Sequence, residues 1–404
     1  YLITKKSTIE LNFIFLYFLT FYAYICVNAQ IQIDDNLKWS SFGYIRFILL
    51  SYFIYFFFKK RLLTSKKTLF VLIIFFGFIL LDSIFQFFVG NNLFNFQLTG
   101  DRVSGVFKDE LILGSYCLKS FLVILSLIFI NDLDILKNKN KIIFLFFLTY
   151  ISIYISAERT SFIMLVLSII LLLILIKDLR QIIKNSLIFF IFFLLLISNV
   201  DLGQKSNPNA ILIYKTFNQI TNYKFAGTTP NKWLSEEFSN LEIEKKIEEV
   251  NEVEISYISH IHSGHYKLAK HLFEKNIIFG VGPRGFRNYC RKIDYNSPIG
   301  TCTTHPHNFF MQFMSELGII GLLFYSSALI FFIYVFVKTI KIKNNSKNKK
   351  IILVLLVSIF VNFFPLAPSG DFFTQYHSFF NYLNFGILIF YLEKEKFIKN
   401  FKLF

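Results

Sequence analysis

The chain has 404 residues, of which 54% are hydrophobic and only 17% charged, and its mean hydropathy is +0.53. A soluble protein of this length would need fewer apolar residues and a more charged exterior, so that class is excluded. The net charge of +16 does not point to nucleic acid, because most of the cations flank apolar runs, where they act as topology anchors.

Ten apolar runs follow one another, at about 11–27, 42–58, 68–89, 111–130, 142–157, 160–176, 186–200, 309–337, 351–365 and 376–392. They are continuously apolar rather than alternating, which predicts helices and not barrel strands. Several are shorter than the roughly 20 residues a span requires, so their ends are expected to extend into the flanks. Cys26 and Cys117 lie within runs and read as packing residues.

Alternate loops are strongly basic: Lys5-Lys6, the stretches 59–67, 137–141, 177–184 and 338–350, and the tail from Lys394 to Lys402 hold 23 of the 42 basic residues. The loops between them are poor in cations; 28–41 holds only Lys38 and 366–375 holds none. The positive-inside rule then puts both termini in the cytoplasm. On the external side lie the 90–110 loop, the Glu158-Arg159 turn, the long segment 201–308 and the 366–375 loop. All seven histidines fall on that side or at its boundary. The reading is an all-α polytopic membrane protein of about ten transmembrane helices: seven in 1–200, a large, partly helical external loop in 201–308, and three more in 309–404. Within the loop, Lys232–Ile255 is expected to form a surface helix and Ser263 to cap a second one running to Asn276. Cys290 and Cys302 share this segment and are candidates for a disulfide.

Arginine usage singles out the external face. The chain contains 34 Lys and 8 Arg, yet Arg46, Arg102, Arg159, Arg284, Arg287 and Arg291 are on or near the external side, where cations are generally disfavoured. A planar guanidinium suits bidentate binding of phosphate or carboxylate. Arg159, in Ile155-Ser-Ala-Glu-Arg-Thr-Ser-Phe162, sits in a tight turn between two apolar runs, where a charge is costly and usually functional; the bland alternative is a Glu158–Arg159 arrangement that only marks the turn. Thr304-His-Pro-His-Asn-Phe-Phe310 leads directly into the eighth run, placing His307 and Asn308 at the membrane boundary, where a histidine can act as general base. Upstream, Gly280-Val-Gly-Pro-Arg-Gly-Phe-Arg287 offers a loop whose backbone can approach a ligand closely. His260, His262, His265, His305 and His307 could supply zinc ligands, but their spacing fits no standard pattern, and no metal is expected.

These pieces together resemble the O-antigen ligase and O-antigen polymerase superfamily of bacterial inner membranes. The resemblance rests on His307-Asn308, nine residues and then Gly318-Ile-Ile-Gly321, on Glu316-Leu-Gly-Ile-Ile-Gly-Leu322, on Arg102-Val-Ser-Gly-Val-Phe107, on Ser263-Gly264 and on the Gly280 and Gly282 stretch. The family pattern departs at Ile163, where Arg-x-x-x-Leu has Leu, and at Glu158, where a small or polar residue is expected. The family usually carries more than ten spans, which fits either a truncated start or neighbouring spans read here as one. The resemblance implies a metal-independent glycosyltransferase of the all-helical membrane (GT-C-like) type, acting at the periplasmic face without a cofactor. Its donor would be an undecaprenyl-pyrophosphate-linked glycan. A ligase passes the glycan to a sugar hydroxyl of lipid A-core, and a polymerase to another lipid-linked glycan. By analogy His307 would activate the hydroxyl and Arg159 and Arg284 would hold the pyrophosphate. Arg102, Arg287, Asn308, His305 and Glu316 would contact substrate, and Gly280, Gly282, Gly318 and Gly321 would shape the backbone. A third reading, a transporter or flippase for lipid-linked sugars, calls for charge at mid-membrane; here only Lys119 and Asp82 stand out within the runs.

Overall fold

In the computed structural model, residues 9–31, 35–62, 66–99, 102–131, 139–198, 260–290, 303–342 and 346–403 are described. Each of the ten apolar runs lies on a helix: α1 (Phe13–Asn28), α3 (Ile45–Lys59), α4 (Lys66–Val89), α5 (Leu113–Ile130), α6 (Lys139–Ile155), α7 (Arg159–Leu175), α8 (Arg180–Ser198), α11 (Phe309–Ile340), α12 (Lys347–Phe363) and α13 (Gln375–Lys394). The short α2 (Asp35–Phe42) and α10 (Phe286–Cys290) and the amphipathic α9 (His260–Lys275) complete the helices among the described residues. Six helical segments there are long and apolar enough to cross a membrane: Phe13–Ile31, Asn36–Lys59, Leu69–Val89, Leu113–Ile130, Lys177–Ile197 and Phe309–Ile340. The molecule is a helical membrane protein. Phe70, Val71, Ile74 and Phe75 of α4 and Ile188, Phe189, Ile191 and Phe192 of α8 face outward, as lipid-facing residues do.

α5 is the hub. All but two of its eighteen residues are buried, and α4, α6, α7, α12 and α13 pack around it. Outside this bundle, α13 lies along α3 and α1 against α3 and α11. The chain ends meet in a small antiparallel ribbon of β1 (Ile9–Asn12) and β2 (Asn400–Leu403), Ile9 opposite Leu403. The two ends of the chain therefore share one side, where the basic helix ends also find one another. Lys59 pairs with Glu393 at 2.8 Å and Lys350 with Asp178 at 2.5 Å.

One expectation changes. Helix α9 begins at His260, so Ser263 lies inside its first turn and not ahead of it as a cap. The Lys232–Ile255 helix and the Cys290–Cys302 pairing lie outside the described residues.

The opposite side is organised by a break in α11. At Gly318 the backbone turns to φ 65° and ψ −159°, and the helical ladder is interrupted. Three carbonyls that would have accepted from the next turn take other partners. Ser315 O accepts from Val281 N (2.9 Å), Glu316 O from Gly282 N (2.8 Å) and Leu317 O from the Tyr24 hydroxyl (2.5 Å). Ile319 N donates to Ile277 O at 2.8 Å. These four groups each have a partner, as buried backbone must. The close approach requires glycine on both sides. A Cβ on Gly318 would lie 2.3 Å from Ile278 O, and one on Gly280 2.5 Å from the Glu316 carbonyl carbon; both residues have positive φ. Gly321 packs where a Cβ would meet that of Leu317 at 2.2 Å. The Gly280, Gly282, Gly318 and Gly321 pattern is thus a joint between α11 and the segment that follows α9. Leu268, Ala269 and Leu272 of α9 then seal against Val281, Phe286 and Met314.

Gly318→Ala is expected to destabilise the protein by about 2 kcal/mol or more, read as a lower melting midpoint in detergent. Gly77→Ala, whose added Cβ meets nothing within 4 Å, is the neutral control.

Candidate functional site

The joint delivers its flanking residues to one place. Asn308 caps α11 by accepting from Met311 N (3.1 Å), and its amide donates to Pro365 O (2.7 Å) and Ala367 O (3.3 Å). It thereby ties the α11 start to the loop between α12 and α13, an arrangement in which loss of the cap alone costs about 1 kcal/mol. His307, just before it, has φ 54°, in the left-handed region, and its carbonyl accepts from Ser369 N at 2.8 Å. A non-glycine residue held there is strained by on the order of 1 kcal/mol, which the bonds on both sides maintain.

Four imidazoles meet at this point. The His307 ring centroid lies 4.2 Å from that of His305, 5.3 Å from His265 and 5.5 Å from His262. His262, His265 and Tyr266 share one face of α9 by their spacing of three and four, and Tyr266 lies beside Asn308. Burial first, and then the neighbouring histidines, push the His307 imidazole down to about 3. His262 and His305 are lowered as well, chiefly by burial. These three imidazoles are therefore neutral near pH 7 and rich in lone pairs. Among the described residues no group of three or more His, Cys, Asp or Glu is set to hold a metal ion.

The Glu158-Arg159 turn approaches the cluster at His262. Glu158 is not a marker of the turn: its carboxylate accepts from Gly114 N (2.6 Å), Ser115 N (3.1 Å) and the Ser161 hydroxyl (2.8 Å). It therefore caps the start of α5 from the side while opening α7, which explains a carboxylate where a small residue was expected. Burial raises its affinity for a proton, and these donors and Arg102 oppose that. Arg102 is placed by the 90–107 loop, whose Ser104 and Gly105 amides donate to Gln86 Oε1 and whose Leu93 amide donates to Asp82 at 2.9 Å. Asp82, one of the two mid-run charges, is thus a loop anchor. The Arg102 guanidinium donates from Nε to Ser156 O (3.1 Å). Arg159 stands within electrostatic range of both Arg102 and His262, so it links the Arg102 loop to the edge of the imidazole cluster.

Arg284, Arg287 and Glu316 sit differently. Glu316 is fully buried and accepts from Arg284 N (2.9 Å), Phe286 N (3.3 Å) and Gln312 Nε2 (2.9 Å). It clasps the Gly-Pro-Arg-Gly turn to α11. The Arg284 side chain donates to Phe373 O at 2.5 Å and to Ser40 Oγ at 3.3 Å, and approaches Asp371 at 3.6 Å. Arg287 reaches the same Asp371 at 3.2 Å. Asp371 also accepts from Gln312 (2.7 Å) and Phe373 N (2.9 Å). These four side chains form a buried ionic lattice behind His305, which feels both Asp371 and Arg287.

Of the residues singled out in the sequence, His305, His307 and Asn308 come together, Arg159 stands in range of this group through His262 and Arg102 stands in range of Arg159, while Arg284, Arg287 and Glu316 lie behind His305. Sequence reasoning missed Asp371, Gln312 and the inclusion of His262 and His265. One signal for Asp371 was available: it is the sole charged residue in the 366–375 loop.

Comparison with known families adds to this geometry. Residues 144–326 match the O-antigen ligase family model. The superfamily is the one that the His307-Asn308 motif indicated, and the matched stretch contains Arg159, Arg284 and the whole joint. Comparison with curated proteins and with solved structures finds no match. The O-antigen ligase family points to lipid-linked glycan transfer in cell-envelope biosynthesis and, at that level, to a transferase in a bacterial membrane.

Because His307 takes a proton less readily folded than unfolded, its burial contributes stability above the unfolded imidazole range. That contribution is lost as pH falls from about 6.5 towards 3. His307→Gln is expected to flatten the decline of melting midpoint between pH 7 and pH 4, measured in detergent.

Proposed function

We propose that the chain transfers a glycan from undecaprenyl pyrophosphate to a sugar hydroxyl of lipid A-core at the periplasmic face of the inner membrane, without metal or cofactor. On this reading it is a GT-C-like protein of ten spans with both termini cytoplasmic. The observation that carries the proposal is the grouping of neutral His307 with His262, which in turn lies within electrostatic range of Arg159. Directly below, a cavity of about 350 Å³ runs between α7, α11 and α12, lined by Leu171, Phe332, Phe336, Phe360, Phe363 and Pro365 among others. Its outer end is at Phe364 and Pro365, and Asn308 donates to the Pro365 carbonyl. An apolar cavity that ends at Pro365, next to His307-Asn308, suits a polyprenyl chain whose pyrophosphate lies beside those residues.

In the proposed reaction the acceptor oxygen attacks the anomeric carbon. The carbon–oxygen bond to the pyrophosphate breaks, and that group leaves with the electron pair. The hydroxyl proton passes to His307. A histidine held near 3 in the empty site is a weak base, and the pyrophosphate changes that: its negative charge beside the cluster favours the imidazolium and raises the basicity of His307 when the donor is bound. Arg159 and Arg102 neutralise charge on the departing group, a role that preorganised cations fill without a metal. Arg284 and Arg287 keep the back wall positive through their hold on Asp371. Polymerisation onto another lipid-linked glycan is the second reading, because it uses the same bond changes at the same motif.

The test is reconstitution of purified protein with an undecaprenyl-pyrophosphate-linked oligosaccharide and lipid A-core in the presence of EDTA. Glycan on lipid A-core is expected, unaffected by EDTA, with a loss of about 100-fold or more in His307→Ala. Arg159→Lys, which keeps charge but loses the planar fork, is expected to lose at least about 10-fold. Longer lipid-linked chains without core transfer would mean a polymerase, and no covalent product with any acceptor would end the transferase reading.

A further inference from the structure

Two buried groups of the bundle take no part in the proposed chemistry. Lys119 lies on α5, six residues in from Leu113, or roughly 9 Å along the helix axis. His377 is in the first turn of α13. Lys119 Nζ and His377 Nδ1 are 2.6 Å apart, and the ammonium also sits over the Tyr376 ring at 4.5 Å from its centroid. A nitrogen–nitrogen hydrogen bond needs one N–H donor and one lone pair, so a charged Lys119 requires Nδ1 of His377 to be unprotonated.

The other edge of the ring meets the loop before α13. A Cβ on Gly370 would lie 2.1 Å from His377 Nε2, so ring and backbone are in direct contact there. Phe309 closes the third side, its centroid 5.7 Å from that of the imidazole. Gly370 is flanked by the two residues through which this loop reaches the site. Ser369 N donates to the His307 carbonyl, and Asp371 holds Arg284 and Arg287.

We propose that Lys119 and His377 are positioning residues whose bond holds the Ser369–Asp371 turn in register with His307 and Arg287. This rests on the transferase reading of the site. The bond tolerates one proton between the two nitrogens. A second proton places two cations at hydrogen-bond distance, and their repulsion pushes the ring against Gly370. The groups facing the pair are Glu158 and Tyr376 beside Lys119, with Cys117 on the same helix, and His305 beside His377.

The test compares Lys119→Met and His377→Gln with the unsubstituted full chain. Glutamine can accept from Lys119 but cannot titrate. In substrate-free micelles with ¹⁵N-labelled histidine, the His305 and His307 ring signals of the unsubstituted protein are expected to change as the pair takes its second proton, and to lose that step in His377→Gln. In transfer assays, His377→Gln is expected to stay within about 3-fold of the unsubstituted rate at pH 7.5 and to move the acid limb of the kcat profile to lower pH, where protonation of His307 alone sets it, while Lys119→Met falls about 10-fold or more. An unchanged acid limb and unchanged ring titrations in His377→Gln would overturn the proposal. So would failure of His377→Gln to fold, because its amide preserves the Lys119 bond. Absence of transfer from every protein, with the ring titrations behaving as expected, would count against the transferase reading and leave the positioning pair standing.

Discussion

Helix α11 gives up its own ladder at Gly318, and the outer half of the molecule is assembled on what that releases. Three carbonyls and one amide, denied their intrahelical partners, hold the segment from Ile277 to Gly282 and the α1 hydroxyl of Tyr24. In apolar surroundings each unpaired group would be costly, so the break persists only because the second segment fits it closely enough to pair every group. That fit depends on two glycines back to back. The helix therefore serves as a membrane element below the break and as a docking platform above it, and His307 and Asn308 are presented at the platform's free end.

Buried carboxylates do the rest of the positioning. Asp82, Glu158, Glu316 and Asp371 lie where an isolated charge would be prohibitive, and each is bound by several donors. Asp82 holds the 90–107 loop, Glu158 the start of α5, Glu316 the Gly-Pro-Arg-Gly turn, and Asp371 the two arginines of the back wall. The acids on this side of the molecule are thus committed to architecture. Arg159 and the imidazoles near it are left as its cationic and proton-accepting groups.

Some of this was readable in the chain itself. The ten apolar runs all fall on helices, because continuous apolarity leaves no other way to satisfy backbone groups in lipid. The preference for Arg on one side and the His-Asn pair ahead of a run marked five residues of the candidate site. Ser263 was misjudged because a capping residue type also fits inside a first turn. The lattice of Asp371, Gln312, Arg284 and Glu316 was not legible, since its members lie on three segments up to 87 residues apart in sequence. Their meeting depends on how α11 and α13 pack.

Composition and run length by themselves determined a helical membrane protein, because lipid leaves so few alternatives. The motif spacing by itself pointed to the superfamily whose ligase model matches residues 144–326. Only the tertiary structure decided what each motif residue does. Glycines that looked like a ligand cradle are a backbone joint, an acid that looked like substrate contact clasps a turn, and a lysine at mid-run reaches a histidine 258 residues away. Such roles depend on distances of a few ångströms between segments remote in sequence, and no local pattern encodes these.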